Sequence, residues 1–134
     1  MKIINILAQI IIMIIISSCE LISPDCPSNL TLKAENIEEI KRYKDCEATI
    51  SGIISSTYID PDGKVVFINV GNIDYKKAFN VVIFSSDFPK FNSLENIKEY
   101  EGNFIQVYGT ISTYRNRPQI IVNDPEQITL QVRL

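Results

Sequence analysis

Few side chains in this sequence have types and spacings that could do chemistry. Three cysteines stand at Cys19, Cys26 and Cys46, two pairs of cations fall close together, Lys76 with Lys77 and Arg115 with Arg117, and the aromatics Phe67, Tyr75, Tyr108 and Tyr114 lie in or near the same stretches. A thiol can be acylated or oxidised, a cation can hold a phosphate, and an aromatic face can stack on a flat ring. That set suits anchoring and binding.

Bond-breaking chemistry is poorly served. The chain has no histidine, which removes the usual general base and the commonest metal ligand. Its carboxylates are scattered through turns and along helix faces. Asp60-Pro61-Asp62-Gly63 begins like a calcium loop, but the later oxygen ligands and the closing glutamate do not follow at the required spacing. The expectation is a protein that is not an enzyme and takes no metal or other cofactor.

The chemistry of Cys19 depends on what precedes it. Lys2 is followed by an apolar stretch from Ile3 to Ile16, interrupted by Asn5 and Gln9, and then by Ser17 and Ser18. This is an export signal in outline, shorter than the roughly 20 apolar residues a spanning helix needs. Ile16-Ser17-Ser18-Cys19 resembles the lipobox of bacterial lipoproteins. The resemblance implies that residues 1–18 are a lipoprotein signal peptide and that Cys19 becomes the acylated N-terminus. An ordinary secretory signal with a cysteine nearby is the alternative. Each acyl methylene adds about 0.8 kcal/mol of membrane affinity, so two or more chains anchor stably. The expected location is the cell envelope, with the membrane as partner through the lipid and the domain facing the periplasm or the exterior.

An exported chain meets oxidising conditions, and with Cys19 acylated an even pair remains. The expectation is a disulfide between Cys26 and Cys46, with two free thiols as the alternative. Acidic residues outnumber basic ones, 16 to 13, for a net charge of −3. No general pull toward nucleic acid or anionic lipid follows from that balance.

The elements that must position these residues read as follows. Residues 19–33, with Pro24 and Pro27, form a lipidated N-terminus and tether, and the domain occupies 34–134. Ile37, Ile40 and Tyr43 at helical spacing predict a short amphipathic helix over 34–44. From Cys46 the period changes to two, predicting a long strand over 47–59 that bends at Gly52. Asp60-Pro61-Asp62-Gly63 is a turn signal and leads into a strand over 64–70. Residues 78–85 are apolar on both faces and read as an interior strand. A short helix is expected within 86–102, ended by Gly102. Strands over 103–114 and 118–122 flank Arg115-Asn116-Arg117 as a tight hairpin, and 128–132 extends the last strand. The two long strands share a pattern, Ile50-Ser51-Gly52-Ile53-Ile54-Ser55 and Val107-Tyr108-Gly109-Thr110-Ile111-Ser112, each with a glycine that would let a small sheet close. The fold class is mainly β: a closed, antiparallel five-stranded barrel, with one short helix between strands three and four and another at the N-terminus.

That order is the order of the OB-fold. The chain also resembles the OB-fold, tRNA-anticodon-like nucleic-acid-binding domains found in bacterial envelope proteins and beside secreted nucleases. The residues carrying the likeness are Gly63-Lys64-Val65-Val66-Phe67-Ile68-Asn69-Val70-Gly71, Phe79-Asn80-Val81-Val82-Ile83-Phe84, Tyr100-Glu101-Gly102-Asn103, Val107-Tyr108-Gly109, Arg117-Pro118-Gln119-Ile120-Ile121-Val122 and Asp124-Pro125. What the resemblance implies is a binding face on strands two and three, bounded by the loops between strands one and two and between four and five. Candidate ligand contacts are Phe67, Tyr75, Lys76, Lys77, Tyr108, Tyr114, Arg115 and Arg117, with single-stranded nucleic acid as the expected partner. Asp60, Asp62 and Asp74 sit close enough in sequence to repel phosphate. A protein or glycan interaction module of the envelope is the alternative.

Overall fold

The computed structural model describes residues 25–92 and 94–132. The expected signal peptide and Cys19 lie outside the described residues. Among the described residues, seven strands and one α-helix follow in chain order: β1 (Thr31–Lys33), α1 (Ile37–Arg42), β2 (Glu47–Ile59), β3 (Val65–Val70), β4 (Phe79–Phe84), β5 (Phe104–Tyr114), β6 (Arg117–Ile121) and β7 (Ile128–Gln131).

Five of these strands close a ring in the order β2-β3-β4-β6-β5, completed by pairing of β5 with β2. This is the OB barrel. Its neighbours are antiparallel except at one seam, where β4 and β6 run parallel through Asn80 opposite Gln119, Val81 opposite Ile120 and Val82 opposite Ile121. The fully antiparallel ring expected from the sequence is therefore corrected: β5 and β6 form a hairpin, and with β5 on the β2 side, the return strand β6 must meet β4 in the same direction.

Alternation builds the core. Val66, Ile68 and Val70 of β3, Phe79, Val81 and Ile83 of β4, and Ile105, Val107 and Ile111 of β5 all lie in one buried cluster. Fully burying an Ile, Val or Phe side chain stabilises by about 1.5–3 kcal/mol, so this cluster supplies the main drive for closure.

The bend in β2 does not fall where the sequence suggests. Residues 47–53 pair with β5, and from Ile54 the strand pairs with β3, with a bulge between Ile54 and Ser56 that leaves Ser55 as the extra residue. The bulge reverses the strand's parity. Ala48, Ile50 and Ile54 are buried before it, whereas after it Thr57 is buried and Tyr58 is exposed. Gly52 serves a different need: a Cβ there would lie 2.9 Å from both Ala34 Cβ and Val70 Cγ1.

Two further expectations are corrected. The end of the tether is a strand: β1 pairs parallel with β2 through Thr31 opposite Thr49, Leu32 opposite Ile50 and Lys33 opposite Ser51, and Leu32 joins the core. The helix expected over 34–44 is confined to the six residues of α1, because Ala34 is held beside β2 by its N–H bond to the Ser51 carbonyl at 2.8 Å. The short helix expected between β4 and β5 is present in 3-10 form, over Ser85–Lys90 and Leu94–Tyr100. Pro89 inside the first of them lacks the N–H an α-helix would use. Residues 128–131 continue the last strand after a break over 122–127. They form β7, which resumes beyond β6 along the same edge of β5, the edge opposite β2, with Ile105 opposite Leu130 and Val107 opposite Ile128.

Cys26 and Cys46 are joined by a disulfide, with Cα atoms 5.4 Å apart. It fastens the segment leading into β1 to the residue just before β2.

Candidate functional site

The outer face of the barrel carries two cross-strand rows. One is aromatic and apolar: Tyr58 opposite Phe67, Phe67 opposite Val82, and Val82 opposite Ile121. The other is polar and neutral: Ser56 opposite Asn69, Asn69 opposite Asn80, Asn80 opposite Gln119, and Gln119 opposite Ser112. Directly opposed side chains on one face of a sheet lie within contact of each other, so each row is a continuous strip of one chemistry.

Tyr58 and Phe67 stack with ring centroids 6.3 Å apart and planes inclined by 29°. Together with Asn69, Tyr75, Asn80 and Arg117 they line a groove of about 480 Å³. One wall is the 71–77 loop. Asn72 Oδ1 accepts from the Asp74 N–H at 2.9 Å and Asp74 Oδ1 accepts from the Lys76 N–H at 3.0 Å, so the Asp74 carboxylate is used in shaping the turn. The other wall is the β5–β6 hairpin, where Tyr114 pairs with Arg117 across the two-residue loop Arg115-Asn116. Both loop residues have positive φ, +50° and +63°, the geometry that matches the twist of a two-residue hairpin. A long hydrogen bond ties the walls together: Arg117 Nη1 donates to the Tyr75 carbonyl oxygen at 3.4 Å.

Past Arg117 the groove continues into a second recess of about 670 Å³ with a different character. Lys41, Lys76, Lys77, Arg115 and Arg117 line it, against two carboxylates, Glu35 and Glu38. Lys41 is paired with Glu38 at 3.3 Å. The local balance is positive although the whole chain is acidic. Asp60 and Asp62 line neither recess; the N–H of Gly63 bonds to the Asp60 carbonyl at 2.8 Å in the β2–β3 turn.

The structure thus brings together six of the eight ligand contacts expected from the sequence. Phe67, Tyr75 and Arg117 line the aromatic recess, and Lys76, Lys77 and Arg115 line the cationic one. Tyr114 stands beside them, its ring 5.3 Å from the Arg115 guanidinium carbon. Tyr108 is elsewhere. It projects from the part of β5 paired with β2, and its hydroxyl donates to Glu47 Oε2 at 2.8 Å. Contact with the Glu47 carboxylate, first through that hydrogen bond and then through its charge, raises the Tyr108 phenol above its usual range.

Sequence reasoning missed Tyr58, Ser56, Asn69, Asn80 and Lys41. For the two asparagines a signal was present, since each is a lone polar residue in an apolar strand, VVFINV and FNVVIF. Each therefore had to point outward or find a buried partner.

No family model matches the chain, and no curated protein matches it. Solved structures do. An aspartyl tRNA synthetase from Entamoeba histolytica superposes with a TM-score of 0.50 at 14% identity, over 81% of this chain and 26% of that one. An asparaginyl-tRNA synthetase from the same organism, in complex with asparaginyl-adenylate, superposes with a TM-score of 0.50 at 10% identity, over 78% of this chain and 24% of that one. The chain spans about a quarter of the length of these enzymes. At such identities the likeness is one of fold, and that shared fold is the OB barrel.

Proposed function

We propose that this domain is a non-catalytic OB module that binds single-stranded nucleic acid across the joined recesses, and that an acylated Cys19 holds it at a membrane of the cell envelope. The observation that carries the binding reading is Arg117, which belongs to both recesses: it has the stacked Tyr58 and Phe67 on one side and Lys76, Lys77 and Arg115 on the other. Bases stack on aromatics while cations follow the phosphates, which is how single strands are held without base pairing. Two of the structural parallels are synthetases whose names include tRNA, which supports a nucleic-acid ligand. The lipobox-like residues Ile16 to Cys19 support the anchor.

A second reading has its own observation. Apart from Arg117, the aromatic recess is lined by neutral side chains, and aromatics beside amides also suit a sugar ring or a peptide. Salt dependence separates the two, because only phosphate contacts release counterions. Fluorescence anisotropy of the full chain in detergent, with labelled strands of about 10 nucleotides, is expected to show binding that weakens as salt rises. Arg115→Ala combined with Arg117→Ala should reduce the slope of log affinity against log salt by about 1.4, roughly 0.7 for each lost contact. A flat titration at high micromolar protein removes the nucleic-acid reading. For the anchor, labelled palmitate should enter the wild-type chain and not the Cys19→Ser variant; equal labelling of the two removes it.

A further inference from the structure

We infer that Asn80 is the specificity-determining residue of this groove, reading the edge of a base stacked on Tyr58 and Phe67. The inference rests on the nucleic-acid reading above and adds to it that binding discriminates between bases. In the polar row, the two amides flanking Asn80 are already engaged with hydroxyls on their far sides. Asn69 Nδ2 donates to Ser56 Oγ at 2.9 Å, and Gln119 Nε2 donates to Ser112 Oγ at 3.3 Å. Neither serves Asn80. Its side-chain oxygen is buried without a hydrogen-bond partner, in a residue only 7% exposed that lines the groove.

An orphaned buried carbonyl forfeits its hydration and gains nothing in exchange. An apolar side chain at this position would avoid that penalty, as Val82 does two residues along the same face of β4, where it is 2% exposed. The penalty is removed if a ligand brings an N–H donor. The spacing suits one. The aromatic row and the polar row are two residues apart along β3, about 7 Å at strand rise, so a flat ring lying on Tyr58 and Phe67 turns an edge toward Asn80. Rotation about the terminal torsion of an asparagine is soft, and its amide offers an acceptor and a donor side by side. A base edge carries the same pair in reverse, and such bidentate contacts are how asparagine reads bases. Arg117 and the lysines beyond it hold the backbone and carry no sequence information.

The test uses the full chain in detergent, labelled ten-residue strands of deoxyadenylate, deoxycytidylate and thymidylate, and the variants Asn80→Leu and Asn80→Ser. Wild-type protein is expected to separate its best from its worst strand by about tenfold. Both variants should bind all three strands alike, at the level of the worst. Asn80→Leu, which deletes the orphaned carbonyl, should at the same time melt at or above the wild-type temperature, showing that the loss of discrimination is not a loss of fold. A flat wild-type panel, or a ranking that survives in both variants, overturns the inference and leaves the groove reading standing. No binding of any strand by wild-type protein overturns the groove reading and this inference with it.

Discussion

Tyr58 and Phe67 face each other across β2 and β3 with ring centroids 6.3 Å apart, and they do so because Ser55 is an extra residue in the bulge between Ile54 and Ser56. A slip of one residue moves every later side chain of a strand to the other face. With the bulge, Tyr58 lies outside the barrel beside Phe67; without it, Tyr58 would have the parity of Ile54 and point into the core. The platform for a stacked base is thus made by backbone irregularity as much as by residue type.

If bases stack there, truncating either ring removes the stack without touching the charges. Tyr58→Ala and Phe67→Ala are each expected to weaken single-strand binding by about tenfold, near the lower part of the 1–3 kcal/mol range for one stacked base, with the salt slope unchanged. Anisotropy titrations at several salt concentrations read both quantities. An affinity that survives both truncations would place the ligand elsewhere.

The same bulge explains what could be read from the sequence and what could not. The Asp60-Pro61-Asp62-Gly63 turn, the alternation in β3 and the Arg115-Asn116 hairpin are local features, and each predicted strand around them is present. Tyr58 was hidden because the run of Ala48, Ile50 and Ile54 assigns it to the interior, and nothing local announces an inserted residue. The β1 strand was hidden for a related reason: which neighbour a short segment joins depends on the free edge of β2 beside residues 49–51, a property of the assembled barrel. The short helix expected between β4 and β5 is present in 3-10 form, with Pro89 inside its first segment.

Gly109 has no room for a side chain. A Cβ at this position would lie 2.7 Å from Cγ2 of Ile120, which is fully buried. Atoms do not approach so closely, and a packed core accommodates an added carbon only by moving its backbone or leaving good rotamers. Gly109→Ala is expected to destabilise by about 1–3 kcal/mol, measured by urea denaturation. A neutral effect would mean that β5 and β6 can separate at little cost.

The Cys26–Cys46 disulfide closes a loop with a sequence separation of 20 that contains β1, whose Leu32 is part of the core. The chain-entropy model gives a loop of this size about 3 kcal/mol of stabilisation. Replacing both cysteines by serine is expected to lower stability by about that amount, and hydrogen exchange should quicken at Thr49, whose N–H bonds to the Leu30 carbonyl at 2.8 Å. Unchanged exchange there would show that β1 holds its place without the covalent link.

Tyr108 gives a prediction in the opposite sense, since it is an exposed aromatic outside the groove. Its hydroxyl donates to Glu47 Oε2, and that contact raises the phenol above its ordinary value of 10.0. For a group whose pKa is raised by folding, the associated stabilisation is present in full below the unfolded value and disappears as the pH climbs through the folded one. The contact therefore contributes at neutral pH and is lost only in strong alkali. Subtracting the ultraviolet titration of Tyr108→Phe from that of the wild type isolates this tyrosine, and its midpoint should lie above 10.0 and return toward it in Glu47→Gln. A midpoint at the ordinary value would show that the pair does not form in solution. Because Tyr108 lines neither recess, Tyr108→Phe should leave single-strand affinity as it is, which makes it the matched control for Phe67→Ala: one removes a tyrosine hydroxyl outside the groove, the other a ring within it.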